Sequence, residues 1–134
     1  MSNNMEDQLI SFETAKLANK VKFDENCSAY YEPDGYLNLA RWKHVQNNQT
    51  LCYRKKSGYP YDSILAPTQS LLQKWLREIH NQFLYVENSN GHWNWVIENS
   101  NGYIEGELSS DNDYYPTFEE ALEIGLLEAL KIIE

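Results

Sequence analysis

The residues of this chain whose spacing comes nearest to a known chemistry are closely spaced carboxylates. Asp111-Asn112-Asp113 begins like a calcium-binding loop, in which carboxylate and amide oxygens surround the ion. That loop also needs glycine at its sixth position and glutamate at its twelfth, and Pro116 and Leu122 stand there instead. We therefore interpret the segment as an acidic loop and expect no metal or other cofactor.

Catalysis is an alternative that a few residue types leave open. A small hydrolase-like enzyme could use the Asp111/Asp113 pair for acid–base work, or Cys52 as a nucleophile activated by His44 or His80. The sequence contains no phosphate-binding loop, dinucleotide fingerprint or nucleophile elbow. We assign no catalytic residue, and an enzyme is the less favoured hypothesis.

Aromatic and acidic side chains give a more specific indication, because tyrosine and tryptophan combine contact area with a polar atom and are favoured at interfaces. Tyr59 and Tyr61 flank Pro60 in a segment rich in turn residues, and Trp42 stands in a short basic cluster. The candidate partner-binding residues are Trp42, Tyr59, Tyr61, Glu105, Glu107, Asp111 and Asp113.

The net charge of −9 is unevenly distributed along the chain. Residues 1–67 contain eight basic and eight acidic side chains, whereas residues 68–134 contain three and twelve. An acidic surface repels nucleic-acid phosphates and attracts basic proteins. A basic protein is therefore the expected partner and nucleic acid is disfavoured, although acidic residues can also serve solubility alone.

Length and composition predict one domain without a membrane span. A chain of 134 residues can bury a core unaided, and no stretch approaches the roughly 20 apolar residues that a span requires. The polar, acidic start is unlike a signal peptide, so we expect a cytoplasmic protein in which Cys27 and Cys52 are reduced. Residues 1–8 are expected to be a disordered tail and residues 9–134 a single domain.

A repeated pentapeptide, Glu-Asn-Ser-Asn-Gly at 87–91 and 98–102, predicts two tight turns, because Asn-Gly accepts positive φ at both central residues. The flanking runs at 83–86, 92–97 and 103–108 are rich in aromatic and β-branched residues. The segment therefore predicts a three-stranded antiparallel meander with one apolar face, which includes Trp95, and one wet face.

Three helices are expected around this sheet. Ser11 predicts the start of a short helix that ends near residues 20–22, and the apolar spacing predicts a second helix from Pro67 to about Asn81. Thr117 begins a capping box for the last helix, in which Gly125 indicates close approach to the tryptophan-rich sheet.

The remaining first half predicts a hairpin and a loop. Pro33-Asp34-Gly35 is a turn signal between strands at 27–32 and 36–40. A further strand is expected at 51–53, and residues 55–67 lack periodicity and predict a loop.

Two segments resemble small uncharacterised proteins of bacteriophages and prophages. They are Ala-Pro-Thr-Gln-Ser-Leu-Leu-Gln-Lys-Trp-Leu-Arg-Glu at 66–78 and Phe-Glu-Glu-Ala-Leu-Glu-Ile-Gly-Leu-Leu-Glu-Ala-Leu at 118–130. The resemblance covers residues 66–134 with an interrupted middle and implies a phage-encoded cytosolic accessory protein. It implies no catalytic or binding residue.

Together these observations predict an α+β fold: an antiparallel three-stranded meander with two packing helices, an N-terminal helix and a hairpin region. The leading functional hypothesis is a small acidic accessory protein that binds another protein. The alternatives are the hydrolase-like enzyme and a structural, self-assembling phage component.

Overall fold

The structure, a computed structural model, describes residues 8–39, 62–106 and 115–134. Over these residues the chain forms three helices and two antiparallel three-stranded sheets, which is the predicted α+β class. The described residues divide into two compact units: an N-terminal unit of residues 9–39 and 62–68, and a C-terminal unit of residues 69–106 and 115–134 together with residue 8. The single domain over 9–134 stays a prediction, and residues 1–7 of the expected tail lie outside the described residues.

Local signals account for most of the N-terminal unit. Helix α1 spans Phe12–Lys20, and the Ser11 hydroxyl caps it by accepting a hydrogen bond from the backbone N–H of Thr14 at 3.2 Å. Strands β1 (Ala29–Tyr31) and β2 (Leu37–Leu39) form the predicted hairpin. The turn between them contains Gly35 at φ +96°, in the left-handed region that favours glycine.

The third strand of this sheet was not predicted. Strand β3 (Ile64–Leu65) pairs antiparallel with β1, within the stretch where the sequence indicates only a loop. Two residues are too few to show a period, so their strand geometry depends on pairing with β1. The strand expected at 51–53 lies outside the described residues.

The C-terminal unit has two helices and the predicted meander, in the order α2, β4, β5, β6, α3. The bounds are α2 Gln69–His80, β4 Phe83–Ser89, β5 His92–Asn99, β6 Gly102–Glu105 and α3 Phe118–Ile133. Both strand pairs are antiparallel, with β5 in the middle. The Thr117 hydroxyl caps α3 by accepting from the N–H of Glu120 at 3.1 Å, as the capping box predicts.

The two copies of the repeated pentapeptide form different turns. In the first, Asn90 and Gly91 are the turn residues and both have positive φ, as predicted. In the second, Asn99 pairs with Gly102, so Ser100 and Asn101 make the turn and only Gly102 has positive φ. There the side-chain oxygen of Asn99 accepts from the N–H of Asn101 at 2.9 Å. This local bond favours the alternative turn, and the prediction of positive φ at Asn101 was wrong.

Helix α3 packs directly on one face of the C-terminal sheet. A Cβ atom added to Gly125 would lie 2.6 Å from Leu84 Cδ1 and 2.8 Å from Trp95 Cβ, which confirms the predicted close approach. The Gln73 side-chain amide of α2 donates to the carbonyl of Leu84 at 2.7 Å. The large apolar side chains that are fully buried in this layer are Leu72, Leu76, Ile97, Leu126 and Leu130.

None of the helices in the described residues has both the length and the apolar character that a membrane span requires.

Candidate functional site: the open face of the C-terminal sheet

The side of the C-terminal sheet opposite α3 is the strongest candidate surface in the described residues. Leu84 and Trp95 lie against α3. Strand side chains alternate between the two faces, and residues paired across strands share a face, so the register identifies the members of the other side. We call that side the open face; its members are Phe83, Tyr85, Glu87, Ser89, His92, Asn94, Val96, Glu98, Tyr103 and Glu105.

The open face, which the sequence predicts to be wet, also carries exposed aromatic rings. It exposes 44% of Phe83, 38% of Tyr85 and 66% of Tyr103, whereas Val96 at its centre is only 2% exposed. The carboxylates Glu87, Glu98 and Glu105 are exposed between these rings. Strands β4, β5 and β6 contain no lysine or arginine. The face is therefore both aromatic and acidic.

Cross-strand pairing arranges these side chains in rows. The first row runs Phe83–Glu98–Tyr103 and the second runs Tyr85–Val96–Glu105. Side chains directly opposite each other on neighbouring strands have Cβ atoms about 4.5–5.5 Å apart. Each carboxylate of these two rows thus stands beside an aromatic ring or a buried valine.

A hydrogen bond joins the two rows. The Tyr85 hydroxyl donates to Glu98 Oε2 at 3.0 Å. The pKa of Tyr85 is raised above its ordinary value of 10, first by this hydrogen bond, then by partial desolvation and by the negative charges of Glu98, Glu87 and ionised Tyr103. The four groups therefore act on one another electrostatically, as members of one cluster.

We expect the substitution Glu98→Gln to lower the pKa of Tyr85 towards 10, because it replaces the carboxylate that accepts the Tyr85 hydrogen bond and also removes a negative charge that opposes phenol ionisation. The raised pKa means that this phenol stabilises the fold below pH 10 and ceases to do so as the pH rises further. Tyrosine ¹³C NMR of the full chain, followed from pH 8 to pH 12, measures the titration. Glu105→Gln is the matched control. An unchanged Tyr85 titration in Glu98→Gln would contradict the assignment of the bond.

Of the predicted partner-binding residues, the structure describes Glu105 alone. Glu105 is exposed in β6, opposite Val96 on the open face. The other six, Trp42, Tyr59, Tyr61, Glu107, Asp111 and Asp113, lie outside the described residues, and so do Cys52 and His44 of the enzyme alternative.

The aromatic part of the open face, namely Phe83, Tyr85 and Tyr103, was not among the predicted partner-binding residues. A signal for it was present. Phe83-x-Tyr85-x-Glu87 alternates with the period of a strand, so these three side chains share one face. The pairing of Tyr103 with Glu98 could not be anticipated, because the predicted Asn101-Gly102 turn would place Tyr103 opposite Ser100.

The face was predicted to be wet because His92, Asn94 and Glu98 share one side of the middle strand, and Tyr103, Glu105 and Glu107 share one side of the third. The side chains of the first strand had not been assigned to a face.

Thiol chemistry at Cys27 is disfavoured by its surroundings. Burial raises the pKa of the Cys27 thiol to about 12, and the nearby charges of Glu25 and Asp24 add to the effect. The thiolate, which is the reactive form, is therefore scarce at neutral pH.

His80, a described residue of the enzyme alternative, packs edge-on against Trp75, with the ring centroids 4.6 Å apart. Within residues 8–39, 62–106 and 115–134, no three or more His, Cys, Asp or Glu side chains are grouped to hold a metal ion.

The open face thus presents exposed aromatic rings and carboxylates around the buried Asn94 and Val96, on a three-stranded sheet whose other side packs against α3. No protein-family model matches the sequence, and neither a curated protein nor a solved structure matches it significantly.

Proposed function

We propose that this protein is a non-enzymatic binding module whose open face holds a basic segment of a partner protein. The observation that supports this most directly is the alternation of exposed aromatic rings with carboxylates on strands without any lysine or arginine. Aromatic rings supply contact area at interfaces, and the carboxylates select for positive charge.

The distribution of charge within the C-terminal unit supports a basic partner. The three basic residues of positions 68–134 are Lys74, Arg77 and Lys131, and all of them lie on helices α2 and α3. The acidic residues Glu87, Glu98 and Glu105 are the carboxylates of strands β4, β5 and β6, and no lysine or arginine on these strands offsets their charge. A cationic segment approaching the open face therefore meets attractive charges from β4, β5 and β6.

The size of the face indicates what kind of segment would fit. Strands β4, β5 and β6 have seven, eight and four residues, and at about 3.4 Å along and about 4.8 Å across each strand they give a face of about 310 Å². A standard protein–protein interface buries about 800 Å² on each partner. The open face therefore suits a short basic segment, such as a tail or a loop, better than a large folded surface.

Affinity capture with charge-matched variants tests the proposal. Glu98→Gln/Glu105→Gln removes two carboxylates from the open face, and Glu78→Gln/Glu119→Gln removes two from the helices as the control. The tagged chain and both variants are incubated with bacterial lysate at low and high salt, because the resemblance to phage proteins makes a bacterial protein the first expected partner. Captured proteins are identified by mass spectrometry, and the affinity of each is then measured with the purified protein.

We expect a basic partner that the parent chain and the helix variant capture at low salt and lose at high salt, because exposed charges are screened. At about 0.5–1 kcal/mol for each exposed charge pair, the open-face variant should bind about 5–30-fold more weakly. Equal affinity of the two variants for the purified partner, or binding that salt does not weaken, would contradict the proposal.

A further inference from the structure

We infer that the row Phe83–Glu98–Tyr103 is a binding site for an arginine side chain, and that a guanidinium group is what the open face selects within a basic segment. This inference rests on the proposed function and adds the chemical group that is recognised. Its basis is the order of the row, in which one carboxylate stands between two exposed aromatic rings.

The geometry of the row suits a planar cation. Glu98 lies on the middle strand, with Phe83 directly opposite on one neighbouring strand and Tyr103 directly opposite on the other. Cβ separations of about 4.5–5.5 Å on both sides allow a cation bound by the carboxylate to contact both rings. Because 44% of Phe83 and 66% of Tyr103 are exposed, a ligand can reach them from solvent.

The Glu98 carboxylate is already held in position. The Tyr85 hydroxyl donates to Oε2 at 3.0 Å, which leaves Oε1 and the second lone pair of Oε2 to accept from a ligand. Lys131 and Glu128 form an ion pair on α3. None of the described lysine or arginine side chains forms an ion pair with Glu98. A bound cation therefore displaces no cation of the described residues and meets a carboxylate that has lost part of its rotational freedom.

Arginine fits this row better than lysine does. A guanidinium group is flat, weakly hydrated and able to stack on aromatic rings while it donates two parallel hydrogen bonds to a carboxylate. An ammonium group is compact and strongly hydrated, so it would interact mainly with the carboxylate charge. Glu105, diagonal to Glu98 across β5 and β6, adds negative charge that attracts either cation.

Two matched peptides test the inference. One contains three arginines separated by glycine, and the other contains three lysines at the same positions. Each is titrated into the full ¹⁵N-labelled chain at low salt, and NMR shift changes give the affinity and the residues affected. The variants are Tyr103→Leu and, in case that substitution disturbs the edge strand, Phe83→Leu. The control is Tyr36→Leu, which removes an exposed tyrosine of the N-terminal unit.

We expect the arginine peptide to bind about 5–30-fold more tightly than the lysine peptide, from cation–ring contacts with two rings at an exposed site. The amides of Phe83, Glu98 and Tyr103 should shift. Tyr103→Leu or Phe83→Leu should reduce the preference several-fold, and Tyr36→Leu should leave it unchanged.

Two outcomes would overturn the inference, and they are distinguishable. Equal binding of both peptides, lost in Glu98→Gln/Glu105→Gln, would remove the arginine site and leave the proposed binding of a basic segment standing. Peptides that shift no resonance of β4, β5 or β6 would overturn both the arginine site and the proposed function.

Discussion

Replacement of Gly125 by alanine is expected to destabilise the protein by about 1–3 kcal/mol, the usual cost of forcing an extra methyl group into a packed core. In an exposed helix the same substitution would add about 1 kcal/mol of stability, because alanine has the higher helix propensity. Here the new Cβ would lie 2.6 Å from Leu84 Cδ1 and 2.8 Å from Trp95 Cβ. Trp95 Cβ is attached to the strand backbone and cannot move aside without moving β5.

Urea unfolding of the parent chain and of Gly125→Ala measures the difference in free energy. Leu84→Ala gives the matched control, because it removes one of the two groups that the new methyl would meet. Leu84→Ala alone should cost about 2–5 kcal/mol, and the double variant should be more stable than the sum of the two single effects predicts. A Gly125→Ala variant that is more stable than the parent would contradict the packing of α3 on the sheet.

Replacement of Gln69 by leucine is expected to cost about 1–3 kcal/mol, because it removes a buried hydrogen-bond donor from the junction of α2 and α3. The Gln69 side chain is 1% exposed, and its Nε2 donates to the Glu119 carbonyl at 3.0 Å and to Glu123 Oε1 at 2.9 Å. Leucine fills a similar volume but leaves the half-buried Glu123 carboxylate without this donor.

Gln69→Glu should cost more than Gln69→Leu, because it places a second carboxylate beside Glu123 and offers no donor at neutral pH. Gln73→Leu is the matched control: Gln73 donates to a neutral carbonyl of Leu84, so its loss should cost only about 0.5–1.5 kcal/mol. Thermal and urea unfolding of the three variants give the order. A Gln69→Leu variant as stable as the parent would show that the buried amide does not hold the two helices together.

These two sites differ in how visible they are in the sequence. Gly125 interrupts an apolar helix pattern, so a reason for it could be sought, and contact with the sheet was predicted. Gln69 looks like any polar residue in the first turn of a helix. Its buried position and its hydrogen bonds depend on the packing of α3, whose residue Glu123 lies more than fifty residues further along the chain.

The open face shows the same limit. Its carboxylates and tyrosines are visible as residue types, but the predicted interface comprised Trp42, the segment around Tyr59 and the carboxylates from Glu105 to Asp113. Only Glu105 of those candidates is described and lies on the open face. The row Phe83–Glu98–Tyr103 combines three strands, and no single stretch of sequence contains it.

Local chemistry in the sequence determined the three helices, the turn around Gly35 and the meander, because caps, turn residues and periodicity act between near neighbours. Tertiary structure decided the rest. Strand β3 exists through its pairing with β1, and the second copy of the repeated pentapeptide adopts a turn set by the pair Asn99–Gly102. The aromatic rings beside Glu98 are set by the register in which β4 and β6 pair with β5. That register depends on contacts between strands, so the sequence of one strand by itself does not determine it.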